Sequence, residues 1–393
     1  MKKLLIVGAS ILQLPAIKRA KELGYHVAVI DYDPNAIGIP YADKYFNVST
    51  IDINGVVDAA EEYKPDGIMT LATDMPMRAI AAACEKLGLL GISTETALKS
   101  TDKGKMIKAF EQNGVEHPWY YIAPDRKRFD EIKHQLTYPC IMKPTDNSGS
   151  RGVVLIHNPM QLEEEYSYSQ SSSRSGSVII EEYLTGPEVS VEVIVYKGVP
   201  HVLQITDKLT TGAPHFVEMG HSQPSQLPKD TTDKIKDLAS RAVLAVGIEN
   251  GPAHVEMIVT ENGPKMVELG ARMGGDCITT HLVPLSTGID MIKATIDIAC
   301  GNEPDIIPKF SKGSAIRYFD VPYGTIQSID GVDAAKKIDG VKQISFTKSV
   351  GNIVGKIGSS GDRVGFVIGQ SGNPQEAIAL CEEAISSISI QVQ

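Results

Sequence analysis

The sequence predicts an α/β protein of more than one unit. Three observations carry this: strand and helix patterns alternate through the first hundred residues, a strand–turn–strand pattern rich in carboxylates fills His254 to Asp276, and the chain turns β-rich from Gly313 onward. A chain of 393 residues exceeds one compact core and suggests about two to four domains. Hydrophobic residues make up 42% and charged residues 22%, ordinary for a soluble globular protein, and a net charge of -10 implies no basic face for nucleic acid. The cysteines, Cys84, Cys140, Cys277, Cys300 and Cys381, are odd in number and lack CxxC spacing. That fits a reducing, cytoplasmic setting and excludes a zinc ribbon. No run approaches the ~20 apolar residues of a membrane span, and the N-terminal MKKLLIVGAS reads as a first strand rather than a leader.

Taken in order, Lys2 to Val7 is a buried-strand run closed by Gly8, Leu14 to Leu23 has helical spacing, and His26 to Ile30 is a second strand ending in Asp31. The turn lacks the spaced glycines of a dinucleotide fingerprint, which argues against an NAD-dependent oxidoreductase and leaves a parallel βαβ unit. A helix over Asp52 to Tyr63, a strand over Gly67 to Leu71 and a helix over Met77 to Leu87 complete a doubly wound unit ending near Thr96.

Lys103 to Asn113 is the next helix. Tyr138 to Lys143 is a strand that ends in a lysine and runs into a loop holding Ser148, Gly149, Ser150, Arg151 and Gly152. An ammonium beside free backbone N–H groups suits a polyphosphate, although no P-loop pattern occurs and a plain hairpin loop also accounts for these residues. Glu163 to Ser177 is poor in apolar residues and is expected to be a solvated loop or a frayed helix end. Val178 to Leu184 and Val189 to Tyr196 are strands flanking Thr185-Gly186-Pro187-Glu188; backbone groups at such a strand exit can read an adenine edge, and Glu188 can take ribose hydroxyls. Asp207 to Gln226, with His215 and His221, is expected to be a long polar loop. Helices follow over Thr232 to Val246 and Asp290 to Cys300, strands over Ala315 to Phe319, Gln343 to Ser345 and Val364 to Ile368, and a last helix over Pro374 to Ser387.

The stretch His254 to Asp276 reads as two strands, His254 to Thr260 and Pro264 to Leu269, joined by a Glu-Asn-Gly turn. Each strand carries one acid among apolar neighbours, and in an antiparallel pair Glu256 and Glu268 can point the same way. Two carboxylates about 4 Å apart repel by roughly 4 kcal/mol at an effective dielectric near 20, so such a pair calls for a cation. An all-oxygen pair favours Mg²⁺ or Mn²⁺. Arg272 follows among Gly270, Gly274 and Gly275, which suits close approach to an anion. The alternative is an exposed edge hairpin in which Arg272 is a salt-bridge partner of the two acids.

With Lys103, Lys143, the 148–152 loop, EEYL at 181 to 184, Glu188, Glu256, Glu268 and Arg272 in this order, the chain resembles the ATP-grasp superfamily. The likeness is to the branch holding biotin carboxylase, carbamoyl-phosphate synthetase, the purine-pathway glycinamide enzymes and the L-amino acid ligases. It implies a Rossmann-like pre-ATP-grasp domain over 1–100, an ATP-grasp domain over 101–308 with a lid at about 115–185, and a C-terminal β-rich domain over 309–393. It further implies ATP and Mg²⁺ or Mn²⁺ as cofactors, with Lys103, Lys143, Ser148, Gly149, Ser150 and Gly152 on the phosphates. Glu181, Glu182 and Leu184 then meet the adenine, Glu188 the ribose, Glu256 and Glu268 the metal, and Arg272 the charge of an acyl phosphate. Family members often dimerise.

One departure stands out: the family usually places Asn two residues after the second metal acid, where this chain has Gly270. The resemblance implies that a carboxylate attacks the γ-phosphoryl group and an amine then takes the acyl group. His215 and His221 can orient or deprotonate that amine, or be ordinary loop histidines. Arg317 can clamp a carboxylate substrate or form a structural ion pair. The runs NSGSRG and PHFVEMGHSQPS look more like the amino acid ligases than like the GGGGRG lid of biotin carboxylase, and no biotinylation tetrapeptide occurs. The expected function is a carboxylate–amine ligase acting on small molecules. A purine-pathway ligase or carboxylase and a nucleotide-binding subunit without turnover are the alternatives.

Overall fold

The computed structural model describes residues 1–147, 149, 151–213 and 216–393. Ser148, Ser150 and His215, singled out above, lie outside the described residues. The first unit is a parallel four-stranded sheet in the order Lys44–Asn47, His26–Asp31, Lys3–Val7 and Gly67–Met69. Its central strands are apolar throughout because helices cover both faces: Leu4 and Ile6 pack with Ala16 and Ile17 of helix Leu14–Glu22, while Leu5 and Val7 pack with Val56 and Ala60 of helix Ile53–Tyr63. Asp31, the acid at the second strand end, accepts the Ala9 N–H at 2.8 Å and the Asp33 N–H at 3.0 Å, so it serves its own turns.

Helices Thr94–Thr101 and Lys103–Gln112 meet at Asp102, whose carboxylate accepts the Lys105 N–H at 2.9 Å and caps the second helix. This cap sets Lys103 at the first turn. A four-stranded antiparallel sheet follows, ordered Tyr120–Ala123, Val178–Glu182, Cys140–Pro144 and Val154–Ile156. Phe129, Met142, Leu162, Tyr166 and Ile180 fill the space between this sheet and helices Arg126–Ile132 and Pro159–Ser171. The segment expected as a loop or frayed end from Glu163 is therefore largely helical. Asn158 caps it and Pro159 starts it, while the narrow buried stripe of Leu162, Tyr166 and Ser169 is diluted in sequence by serines and glutamates.

An eight-stranded sheet positions the site. Its order is Gly263–Gly270, Gly251–Thr260, Glu188–Tyr196, Val199–Thr210, Glu218–Gln223, Gly313–Tyr318, Gly365–Ser371 and Val341–Phe346, every neighbour antiparallel. Half of the long polar loop expected from Asp207 to Gln226 is instead paired strand, up to Thr210 and again over Glu218–Gln223: Asp207 faces Ser222 and Lys208 faces His221 across the ladder. Its residues are polar because they line a charged site, which hides the strand pattern. Three C-terminal strands, Gly313–Tyr318, Gly365–Ser371 and Val341–Phe346, belong to this same sheet, while Ile353–Val354, Gly324–Asp330 and Ser389–Val392 form a separate one; helix Pro374–Ser386 packs in the C-terminal core through Ala377, Cys381 and Ala384. All five cysteines are free thiols.

Candidate active site

Alternation along the strand Glu188–Tyr196 sorts its residues into two faces. Val189, Val191, Val193 and Val195 pack with Ile235, Leu238 and Val243 of helix Lys229–Ala245. Glu188, Ser190 and Glu192 point to the opposite side. The register then fixes what joins them: Ser190 pairs with Glu256, Glu256 with Glu268, and Glu192 with His254. One sheet face thus gathers acids from three strands, and a bulge after Glu256 adds a kink at the pair.

Cations answer these acids. Lys103 Nζ lies 2.8 Å from Glu268 and also donates to the Asn147 carbonyl at 2.9 Å. Lys143 Nζ lies 2.6 Å from Glu181, both side chains buried. Lys208, whose side chain is 3% exposed, is a site residue with no sequence motif of its own; it lies 2.5 Å from Glu188, 3.4 Å from Glu256 and 3.6 Å from Glu218. The alternation of Thr206, Lys208 and Thr210 is the signal that would have placed it on the site face. Against its own burial, the charges of Glu256, Glu188 and Glu218 hold the Lys208 pKa above its ordinary value. Burial raises the Glu188 carboxyl, and Lys208 opposes that rise. Against burial, Lys208 and His254 hold Glu256 well below the ordinary carboxylate range, and Lys103 lowers Glu268. His254 donates from Nδ1 to the wholly buried Glu192 at 2.6 Å and meets Glu256 through Nε2 at 3.2 Å. Burial lowers the His254 pKa but Glu192 more than compensates, raising it to about 9.

A cavity of about 480 Å³ opens on this face and is lined by Lys103, Lys143, Glu181, Leu184, Glu188 and Glu268, among others. Glu182, also on its wall, accepts from Lys265 Nζ at 2.7 Å. Gly149 lines the cavity at a φ of +67°, whereas Gly152 sits at +79° where a Cβ would come within 2.7 Å of Pro144. A second cavity of about 280 Å³ shares Lys103, Asn147 and Glu268 with the first and extends to Asp74, Arg78 and Arg174.

Arg272 is held by Asp74 of the first unit, through Nε at 3.0 Å and NH2 at 2.9 Å, and not by the two hairpin acids. This pair explains Gly270. A Cβ there would fall on the Asp74 carboxylate and lie 3.1 Å from the Arg272 guanidinium, so the space for an Asn side chain is already filled.

Arg317 is not brought to either cavity. Its guanidinium donates to the carbonyls of Ile316 at 3.0 Å and His221 at 3.3 Å, and its Nε, 3.8 Å from Glu382, has no hydrogen-bond partner among the described residues. Burial lowers its pKa. His221 is buried beside Asp276 at 3.3 Å, and Asp276 takes two bonds from Arg363, at 2.7 and 2.8 Å. That guanidinium stacks 3.8 Å above the Tyr318 ring.

The donor set fits a hard divalent cation: Glu256 and Glu268 are in register, both carboxylates, and each already neighbours an ammonium. Among the described residues no three His, Cys, Asp or Glu side chains form a protein-only cage. A cation there therefore needs oxygens from phosphate and water, as Mg²⁺ commonly does.

Residues 136–280 match the ATP-grasp domain, and residues 317–393 match the L-amino acid ligase C-terminal domain 2. The chain is 26% identical to alanine–anticapsin ligase of Bacillus subtilis over 323 residues, covering 76% of this chain and 67% of that one. The L-amino acid ligase structure from Bacillus licheniformis superposes with a TM-score of 0.86 at 24% identity, covering 100% of this chain and 99% of the other. The phosphoribosylglycinamide synthetase structure from Anaerococcus prevotii does so with a TM-score of 0.81 at 25% identity and full coverage of both. The chain thus carries an ATP-grasp domain over residues 136–280 and an L-amino acid ligase C-terminal domain 2 over residues 317–393, and it shares its fold with that amino acid ligase and that synthetase.

Proposed function

We propose that this ligase joins a small carboxylic acid, an amino acid first among candidates, to an amine, with Mg²⁺ and ATP, and releases ADP and phosphate. The observation that carries the reading is the in-register pair Glu256 and Glu268 on a cavity walled by Lys103 and Lys143. In this reading the large cavity takes the nucleotide. Lys103, Lys143 and Gly149 hold its phosphates, residues 181 to 184 meet the adenine, and Glu188 exchanges its bond to Lys208 for the ribose hydroxyls. Bound Mg²⁺, held by Glu256 and Glu268, supplies neutralisation of phosphate charge.

The acid enters from the second cavity, which reaches the same lysine and glutamate. One carboxylate oxygen attacks the γ-phosphorus, the bond to the β-phosphate oxygen breaks, and ADP leaves. Arg272, fixed by Asp74, stabilises the charge of the acyl phosphate. The amine nitrogen then attacks the acyl carbon, the carbon–oxygen bond to phosphate breaks, and the nitrogen gives up a proton. Ordering these groups is the main task of the protein.

A second reading, a purine-pathway ligase, draws on the likeness to phosphoribosylglycinamide synthetase. The C-terminal match favours the first. The test is release of ADP and phosphate from Mg-ATP across single and paired amino acids and small carboxylates, with phosphoribosylamine plus glycine as a separate arm. Release that requires one amino acid pair supports the first reading; release only in the separate arm overturns it. Exchange of the β,γ-bridging oxygen of labelled ATP with the acid alone checks the acyl phosphate.

A further inference from the structure

Glu192 is 0% exposed, touches neither cavity wall, and has one polar partner among the described residues, His254. A buried carboxylate is costly unless paired, and this one is paired with a ring that points onward to the site. The loop after the second hairpin strand closes over the pair: a Cβ at Gly274 would stand 2.6 Å from His254 Nδ1 and 3.0 Å from the Glu192 carboxylate. Beyond the ring, His254 Nε2 and Lys208 Nζ both address the same oxygen of Glu256, Oε1, at 3.2 and 3.4 Å.

We infer that Glu192 and His254 are a positioning pair that ties Oε1 of Glu256 to the protein and presents Oε2 to a divalent cation carried by the nucleotide. The inference rests on the reading of Glu256 and Glu268 as the cation site. The relay of contacts from Glu192 through His254 to Glu256, with Lys208 on the same oxygen, restrains the carboxylate from two sides and leaves Oε2 to face the cation. Partners of this kind behind a metal ligand change metal affinity by roughly 10–100-fold when removed.

Asn and Gln separate the two ring nitrogens. H254N keeps a donor where Nδ1 meets Glu192 but none toward Glu256, whereas H254Q keeps a donor where Nε2 stands. The probe is Mn²⁺, titrated by electron paramagnetic resonance in the presence of ADP, with ADP affinity measured separately in EDTA. Binding of Mn²⁺ should weaken by about 10–100-fold in H254N and return to within a few-fold of the parent in H254Q, with metal-free ADP affinity unchanged. E192Q keeps the ring in place, weakens Mn²⁺ binding in the same direction, and replaces H254N if that variant does not fold. Equal Mn²⁺ affinity in H254N and H254Q, or parent-like affinity in E192Q, overturns the inference. Loss of Mn²⁺ binding in E268Q beside such a result leaves the cation site standing; no ADP-dependent Mn²⁺ binding by the parent overturns both.

Discussion

Glu256 and Glu268 face each other directly across adjacent antiparallel strands, the one pair of acids in that ladder, with a bulge immediately after Glu256. Like charges placed so repel unless cations separate them, and Lys103 and Lys208 approach them from opposite ends. Replacing Glu268 by Gln should lower Mg²⁺-dependent ADP release by at least about 100-fold while the far-ultraviolet circular dichroism stays unchanged. Parent-like turnover in this variant would remove Glu268 from the cation site.

The Lys208 side chain, 3% exposed, is shared by three carboxylates within 3.6 Å. Removing it as Lys208→Met leaves Glu188 and Glu256 without their shared cation and should cost about 3–5 kcal/mol at neutral pH. Glu188 is already raised by burial. A carboxyl whose folded pKa is raised adds stability that is complete below the unfolded value of about 4.3 and lost as pH rises through the folded value. The variant's deficit should therefore shrink on acidification, which thermal unfolding between about pH 5 and pH 8 reads out.

Asp276 has the opposite sign. Against burial, Arg363 and His221 depress its pKa below the ordinary carboxylate range. Its contribution is complete above the unfolded value of about 3.9 and lost as pH falls through the folded one. Asp276→Asn should destabilise the protein by about 1.5–3 kcal/mol at neutral pH, with the difference closing in strong acid. A gap independent of pH would mean that the loss comes from packing alone.

Gly270→Asn, which restores the residue the family usually carries, should destabilise this chain by about 1–3 kcal/mol because Asp74 occupies the space. Combining it with Asp74→Ala should recover part of that loss, a coupling that chemical denaturation of both single variants and the double variant measures. Additive losses would show that Asp74 is not the obstacle.

What could be read from the sequence followed from local pattern. The helix over Met77–Leu87 and the hairpin acids showed themselves through period and turn chemistry within a few residues. Lys208 and Glu192 did not, because their meaning comes from neighbours about 50 to 60 residues away that only the sheet register brings together. Asp74 was hidden for the same reason, 198 residues from its partner. The strands around Lys208 and His221 read as loop because a charged, half-buried face replaces the apolar alternation by which strands are recognised.

The bond between Asp74 and Arg272 has a bearing on any attempt to recombine this protein with its relatives. A crossover near residue 100 would look like a clean seam between modules, yet it would separate a side chain from the arginine it aligns. A foreign first module lacking an acid at that place would leave Arg272 loose, and a foreign hairpin with Asn at position 270 would collide with the acid supplied by this one. Compatibility of the two parts is thus written in three positions, 74, 270 and 272, and a chimera that exchanges them together keeps the arginine aligned.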